Sequence, residues 1–351
     1  MILFSIGLPS RFTDLCDAIT LQLARRSLGM AEIVAANTLE EFAAAVIRTS
    51  ASNLVVACRQ PVVRLQTEVI EAGRPFIVAI GDPRAALRDL LQHPGVSLAD
   101  ATRVVASSCA AMHTLTAAPG ALVLSGSGDL DPMMLAAEIA RHFELNVSRE
   151  EIATSVGLLA EAGHKLEQSA DQGWWDQHGE REQAIINGAI QPYASHFASG
   201  GDLEPLAWER ELFCIYEDPP AEFPVPATRP VDITGRARVL VYGPGMGLPP
   251  GNWSANVVLG FSAETVGMSF TVEVYAGRQL SSTELRPVAA QVLEANLNFT
   301  IENTVERRIE IRVLSERPAF DGRLALGHVT LTPQAMVYGE TEQYLAQVLR
   351  Q

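Results

Sequence analysis

Short apolar runs alternate with helix-like segments through the first part of the chain. The runs lie at residues 2–6, 32–35, 53–58, 75–80 and 121–125. Elsewhere, apolar side chains recur at every third or fourth residue, which predicts helices at 13–28, 39–49, 62–72, 84–92, 97–113 (in part) and 132–143. All-apolar strands separated by amphipathic helices are typical of a parallel sheet covered by helices on both faces. We therefore predict an α/β three-layer domain at the N-terminus.

The pattern changes twice in the second half of the chain. Residues 148–193 are predicted to be helical, beginning with a capping box formed by Ser148 and Glu151. Residues 217–230 contain five prolines, which neither a helix nor a central strand tolerates. Beyond them, alternating or β-branched-rich segments lie at 238–242, 253–261, 269–275, 296–301, 308–314 and 325–332. These segments, separated by turn residues, predict an antiparallel β-sandwich that is jelly-roll-like.

These patterns divide the chain into two predicted domains. The α/β domain spans 1–216, with a helical extension from about residue 148. A proline-rich linker follows at 217–230, and the β-sandwich domain spans 231–351. At 351 residues the chain is long for a single core, which also favours two domains.

Net charge, the length of the apolar runs, and the spacing of cysteines and histidines argue against several classes of function. A formal net charge of −15 argues against binding nucleic acid or an anionic membrane through a basic surface. No apolar run approaches the roughly 18 residues that span a bilayer, and no basic region precedes the first run, so we expect neither a membrane span nor a signal peptide. The four cysteines lack a C-x-x-C pair, and the histidines lack metal-ligand spacing. We predict a cytoplasmic protein with inert thiols and no metal site.

The loop after the first apolar run has the layout of an anion site. Residues 7–14, GLPSRFTD, join the first predicted strand to the first predicted helix. Ser10, Arg11 and Thr13 carry the hydroxyls and the positive charge that suit an anion at a helix N-terminus. Phe12 adds bulk to this loop, and Asp14 adds a negative charge that suits the helix dipole.

Three segments in this order resemble the sulfotransferase family. They are GLPSRFTD at 7–14, FIVAIGDPRAALRDLL at 76–91 and LVLSGSGDLDPMMLAAEIARHFELNVSREEI at 122–152. The resemblance implies a P-loop-type α/β domain that binds 3′-phosphoadenosine-5′-phosphosulfate as the sulfuryl donor.

The same comparison shows departures at the donor site. Phe12 falls on the glycine of the family's loop, and Asp14 on its second threonine. Gly81 replaces an arginine that contacts the 3′-phosphate, and Asp89 falls at or near a helical serine that shares this contact. Each lost charge-assisted contact is worth roughly 1.5–3 kcal/mol. We therefore expect a degenerate domain that binds no cofactor.

The sequence Asp82-Pro83-Arg84 matches the family and has two interpretations. Asp82 and Pro83 suit a helix start, which leaves Arg84 exposed or paired locally. Alternatively, Arg84 retains a contact with an anionic ligand.

Four aromatic residues are candidates for stacking on a sugar. Trp174 and Trp175 lie beside an acidic residue and a histidine, although filling a core gap and covering a domain interface is the alternative. Tyr242 and Trp253 belong to VYGPGMGLPPGNWSANVVLGF at 241–261, which resembles a module attached to bacterial cell-surface polysaccharide proteins. Gly245 stands where that module usually has an aromatic residue, and packing is the alternative role for the two remaining rings.

The leading hypothesis is a non-catalytic binding or accessory protein, in bacterial extracellular polysaccharide biosynthesis or in carbohydrate recognition. Its partner would be a carbohydrate or a glycan-assembly protein. The alternative is an active nucleotide-donor transferase that uses Ser10, Arg11, Thr13 and Arg84 in a rearranged loop. That alternative predicts an open pocket at the end of the first strand, with Arg11 turned inward. A structural or oligomerisation module, with a large apolar patch, is a third possibility.

Overall fold

A computed structural model describes residues 1–126, 131–162, 172–217, 224–302 and 308–334, apart from the side chain of Gln172. The first domain is built on five parallel strands in the order β2-β3-β1-β4-β5. The strands are β1 Ile2–Gly7, β2 Ala31–Ala35, β3 Asn53–Cys58, β4 Phe76–Ile80 and β5 Ala121–Ser125. The helices are α1 Arg11–Leu28, α2 Leu39–Arg48, α3 Val63–Glu71, α4 Pro83–Leu91, α5 Leu98–Leu115, α6 Pro132–His142 and α7 Arg149–Glu161.

Helices cover both faces of the parallel sheet. On one face, α1, α6 and α7 pack on one another. Leu15, Ile139 and Ile152 of these helices share a buried cluster with Leu3 and Ile77 of the sheet. On the opposite face, side chains of α3, α4 and α5 share a second cluster with residues of β1, β3 and β4. The predicted α/β domain with three layers is confirmed.

Side-chain caps fix where most of these helices begin. A side-chain oxygen accepts from a first-turn N–H at Ser10, Thr38, Asp82, Ser97, Asp131 and Ser148. The predicted capping box is confirmed: Glu151 N donates to Ser148 Oγ at 3.3 Å, and Ser148 N donates to Glu151 Oε2 at 2.7 Å. Pro83 begins α4, where its missing N–H removes no helical hydrogen bond.

The second domain is an antiparallel β-sandwich that follows three further helices. These are α8 Gln172–Asp176, α9 Glu180–Ala189 and α10 Gln191–Ser199. The strands are β6 Leu206–Glu209, β7 Cys214–Ile215, β8 Val225–Pro226, β9 Val231–Asp232, β10 Val239–Met246, β11 Gly251–Phe261, β12 Phe270–Tyr275, β13 Gln279–Leu285, β14 Gln291–Ile301, β15 Ile309–Ser315 and β16 Arg323–Gln334. One sheet, the β15 sheet, has the order β13-β12-β15-β10-β7-β8. The other, the β11 sheet, has the order β14-β11-β16-β6, with β9 beside β16.

The sandwich takes in more of the chain than the sequence pattern indicated. Strands β6 and β7 precede the predicted linker at 217–230, yet they pair with β16 and β10. Strand β8 lies inside that linker and pairs with β7, whereas residues 218–223 lie outside the described residues. Strand β13 was not predicted, because none of its side chains is buried and its polar residues give no apolar alternation. The division of the chain at 217–230 stays a prediction.

The two domains meet along α5 and α9. Gly247 N, in the loop before β11, donates to Ser107 Oγ of α5 at 3.1 Å. Arg103 of α5 donates through Nη2 to Leu212 O at 2.7 Å. The larger buried cluster runs without a break from the parallel sheet through α5 into the sandwich. The sandwich is therefore fixed to one face of the α/β domain.

Gly188 tests how closely α9 approaches β6. A Cβ at Gly188 would lie 2.4 Å from Ala207 O, which is backbone that cannot move aside alone. We expect Gly188→Ala to lower the free energy of unfolding by about 1–3 kcal/mol, as overpacking does. Gly157→Ala in α7 is the matched control, because no described atom outside the neighbouring helix backbone lies within 4 Å of its Cβ position. The control should gain up to about 1 kcal/mol from helix propensity. Urea unfolding of both variants measures this, and equal stabilities would contradict the close approach.

Candidate functional site

The loop between β1 and α1 uses its own hydroxyls. Ser10 Oγ accepts from Thr13 N at 3.3 Å and lies 3.2 Å from Thr13 Oγ1. Thr13 Oγ1 also donates to Ala79 O of β4 at 3.5 Å. Both side chains are buried, at 5% exposed for Ser10 and 0% for Thr13. These two candidate anion-binding residues therefore serve the helix start.

Phe12 fills the space at the carboxyl end of the parallel strands. Its ring is buried against Gly126, where a Cβ would lie 2.9 Å from Phe12 Cγ. Gly81, after β4, faces Ser10, whose Oγ is 3.0 Å from the position of a Cβ. The transferase hypothesis predicts an open pocket at this edge of the parallel sheet. Among the described residues, the Phe12 ring takes the volume that an anion would need there.

A carboxylate of the chain itself occupies the N-terminus of α1. Arg11 N donates to Asp89 Oδ2 at 3.1 Å, and Arg11 Nε lies 3.7 Å from Asp89 Oδ1. Arg11 Nη2 donates to Gln92 Oε1 at 3.1 Å, so the guanidinium points towards the end of α4. Exposed N–H groups and the helix dipole favour negative charge at this position, and Asp89 supplies it. Arg11 does not turn inward as the transferase hypothesis predicts.

Within the described part of this edge, several further charged side chains form ion pairs. Asp82 Oδ1 accepts from Arg84 N at 2.9 Å, and Arg84 Nη2 lies 3.0 Å from Asp82 Oδ2. Asp14 forms an ion pair with Arg59 at 2.8 Å, and Arg59 also contacts Asp17. Burial raises the pKa of Asp17 above its ordinary value, and the Arg59 guanidinium opposes part of this rise. Arg84 is thus engaged with the cap of its own helix.

Three of the four aromatic candidates lie in packed positions. The rings of Trp174 and Trp175 are 6.4 Å apart and inclined at 55°, and Trp174 packs at 4.4 Å on His178. Both indoles are half-buried against the core, and their tilt gives no common flat surface. Trp253 is 2% exposed, and its Nε1 donates to Pro249 O at 3.0 Å. Trp253 therefore anchors the turn that precedes β11.

Tyr242 lies on the outer surface of the β15 sheet, beside four residues that sequence reasoning missed. We call this surface the Arg312 face, defined by Tyr242, Glu273, Tyr275, Glu310 and Arg312. Tyr242, Arg312 and Glu273 stand side by side on β10, β15 and β12. Glu310 and Tyr275 form the next row along the strands. Neighbouring strands lie about 4.8 Å apart, so the five side chains form one compact cluster.

Arg312 is at the centre of the Arg312 face. Its Cζ lies 3.4 Å from the centre of the Tyr275 ring, in cation–π contact. Its Nη2 lies 2.8 Å from Glu310 Oε2, and its Nη1 lies 3.8 Å from Glu273 Oε1. The side chains of Glu273 and Arg312 are 11% and 25% exposed. Charged groups this well covered keep fixed positions, which is what recognition of a ligand requires.

Tyr242 connects the Arg312 face to the α/β domain. Burial raises the pKa of the Tyr242 phenol, and Cys214 and Glu310 add to the rise. The Arg103 guanidinium of α5 opposes it. The phenol therefore keeps its proton at neutral pH, and it is hydrogen-bonded to Cys214.

Period-two alternation was the signal that could have located the missed residues. FTVEVY in β12 and IEIRVLS in β15 place polar or aromatic residues at every outward position except Leu314. The cross-strand register that unites them is absent from the sequence. Among the described residues, no group of three or more His, Cys, Asp or Glu is arranged to hold a metal ion. In the same part of the chain, no helix has the length and apolar character to cross a membrane.

Comparison with known proteins shows no family for this chain. No family model matches the sequence, and no curated protein matches it. An arabinose-bound MgGH51 α-L-arabinofuranosidase is 15% identical over 28% of this chain and 18% of its own, with a TM-score of 0.23. An apo cyclase from Fischerella sp. is 14% identical over 29% and 56%, with a TM-score of 0.22. TmCBM61 in complex with β-1,4-galactotriose is 13% identical over 39% and 94%, with a TM-score of 0.24. The chain thus spans less than two thirds of the first two proteins, and likeness this weak assigns no function.

Asp89 tests whether the N-terminus of α1 is closed by the chain itself. We expect Asp89→Ala to lower the free energy of unfolding by at least about 1 kcal/mol, because Arg11 N loses its acceptor and the dipole loses its counter-charge. Glu138→Ala in α6 is the control, since its pairing with Arg141 is exposed and should change stability by less than about 0.5 kcal/mol. Urea unfolding measures both, and an Asp89→Ala protein as stable as the control would contradict this role.

Proposed function

We propose that this chain is a non-catalytic carbohydrate-recognition protein and that it binds its ligand on the Arg312 face. The observation that carries the proposal is the cluster itself: two tyrosine rings and three largely covered charged side chains on an outer sheet surface. Aromatic rings pack on the apolar faces of sugars, while charged and phenolic groups bond to their hydroxyls. The rigid antiparallel strands hold both kinds of group at fixed spacing.

The edge of the parallel sheet supports a non-catalytic role. Phe12 takes the volume of the expected anion, and Asp89 takes the helix N-terminus. Arg84, the remaining donor-site candidate, is engaged with Asp82. A donor nucleotide would have to displace all three groups, which speaks against an active transferase. The sulfotransferase-like scaffold then serves as a support to which the sandwich is fixed.

The proposal also includes an accessory role in the biosynthesis of extracellular polysaccharide. The segment 241–261 resembles a module of bacterial cell-surface polysaccharide proteins, which favours an accessory function in extracellular polysaccharide biosynthesis. Tyr242 of that segment belongs to the Arg312 face, whereas Gly247 contacts α5 at the domain junction. A cytoplasmic location and a glycan-assembly protein as a further partner belong to the same proposal.

Direct binding to polysaccharides tests the proposed function. The full chain is titrated calorimetrically with soluble neutral glucan, mannan and galactan, and affinity electrophoresis repeats the comparison. We expect at least one polymer to bind, and Tyr275→Ala to weaken that binding by about tenfold through loss of a stacking ring. Thr330→Ala, on the outer surface of the β11 sheet, is the control and should bind as the parent does.

Two results would contradict the proposed function. The first is the absence of binding to every polymer tested. The second is binding that Tyr275→Ala and Thr330→Ala change equally while both variants unfold at the temperature of the parent. The second result would move the ligand site away from the Arg312 face.

A further inference from the structure

We infer that the Arg312 face selects uncharged glycans and rejects acidic ones such as uronate-containing or sulfated polymers. This inference rests on the proposed function and names the class of ligand. Two observations support it: Arg312 is paired with carboxylates of the protein itself, and those carboxylates still have free positions to accept hydrogen bonds.

The single cation of the Arg312 face is already committed. Arg312 Nε donates to Glu310 Oε2 at 2.8 Å, and Nη2 lies 2.8 Å from the same oxygen. Nη1 is directed towards Glu273 at 3.8 Å, and one side of the guanidinium plane is covered by Tyr275 at 3.4 Å. A ligand carboxylate or sulfate would have to replace two carboxylates, Glu310 on the same strand as Arg312 and Glu273 on the neighbouring strand β12. Bidentate recognition of a ligand anion is therefore blocked.

The net charge of the Arg312 face has the wrong sign for an anion. Glu273, Glu310 and Arg312 sum to a formal charge of −1, from two carboxylates and one guanidinium. The ion pairs at its two borders are balanced: Arg286 with Glu284 at 2.8 Å near β13, and Arg103 with Asp100 at 2.8 Å in α5. These two neighbouring ion pairs add no net charge and do not reverse the sign. The whole chain, at −15, adds long-range repulsion of a polyanion.

What the Arg312 face still offers suits hydroxyl groups. An ionised carboxylate has two oxygens with about four acceptor positions, and Arg312 uses only some of those on Glu273 and Glu310. Sugar hydroxyls donate to such acceptors without bringing charge. The Tyr242 phenol, which is hydrogen-bonded to Cys214, is protonated and so brings no charge to the Arg312 face. An uncharged polymer rich in hydroxyls satisfies these groups, whereas an acidic one leaves like charges close together.

One chemical change on the ligand tests the inference. The neutral hexose polymer that binds in the panel is compared with the same polymer after oxidation of its primary hydroxyls to carboxylates. We expect the oxidised polymer to bind about tenfold or more weakly at low ionic strength, and the difference to shrink in about 0.5 M salt as repulsion is screened. An oxidised polymer that binds as tightly as the neutral one would overturn the inference and leave the proposed function intact. If neither form binds, the proposed function fails instead, and this inference with it.

A charge change on the protein provides the complementary test. Glu273→Gln combined with Glu310→Gln changes the charge of the cluster from −1 to +1 and releases Arg312 from its carboxylate partners. We expect the preference for the neutral polymer to fall by about tenfold or more. Glu209→Gln combined with Glu294→Gln makes the same change in net charge on the β11 sheet and should leave the preference unaltered. Equal effects of the two double variants would attribute the selection to overall charge and overturn the inference. A cluster variant that does not fold leaves the comparison of neutral and oxidised polymers decisive.

Discussion

Helix α5 is buried from both sides, and the arrangement of the two domains depends on this. Its small residues Ala101, Ala106 and Ala110 let neighbouring backbone approach closely, while Val105 and Met112 fill the core. The helix contacts β1 and β4 of the parallel sheet and also β10 of the sandwich. Because one helix belongs to both packing layers, the sandwich cannot separate from the α/β domain without exposing apolar surface. The same helix brings Arg103 close to Tyr242 at the border of the Arg312 face.

A stable fold and an anion site at its edge make different demands on this chain. The parallel sheet and its helices need apolar periodicity and caps, and Ser10, Asp82 and Pro83 still meet that need. An anion site needs unoccupied N–H groups and empty volume. Asp89 and Phe12 remove both while they stabilise the domain through a cap and a buried ring. Stability and ligand binding therefore compete for the same edge of the sheet, and packing has taken it.

Local chemistry was readable from the sequence, whereas contacts between distant segments were not. The bounds of β3 and β5 and the cap at Ser148 follow from short-range patterns that a few residues define. Asp89 was identified as unfavourable for a phosphate, but its bond to Arg11 N joins positions 78 residues apart. The Arg312 face is a similar case, because its membership depends on cross-strand register. Edge strand β13 was missed for the opposite reason: it has no buried side chain to create a pattern.

The two outer surfaces of the sandwich differ in the side chains that they present. On the β11 sheet, Asn256 Nδ2 donates to Asn296 Oδ1 and Glu294 Oε2, each at 2.9 Å, and the outward residues of β11 and β14 are mainly amides and hydroxyls. No aromatic ring stands among those outward residues, so β11 and β14 offer hydrogen bonds but no stacking partner. The Arg312 face combines both, with its charges held by β12 and β15. Period-two alternation builds the same apolar core beneath each surface. The difference between the surfaces therefore comes from the outward residues alone, which the core leaves free to vary.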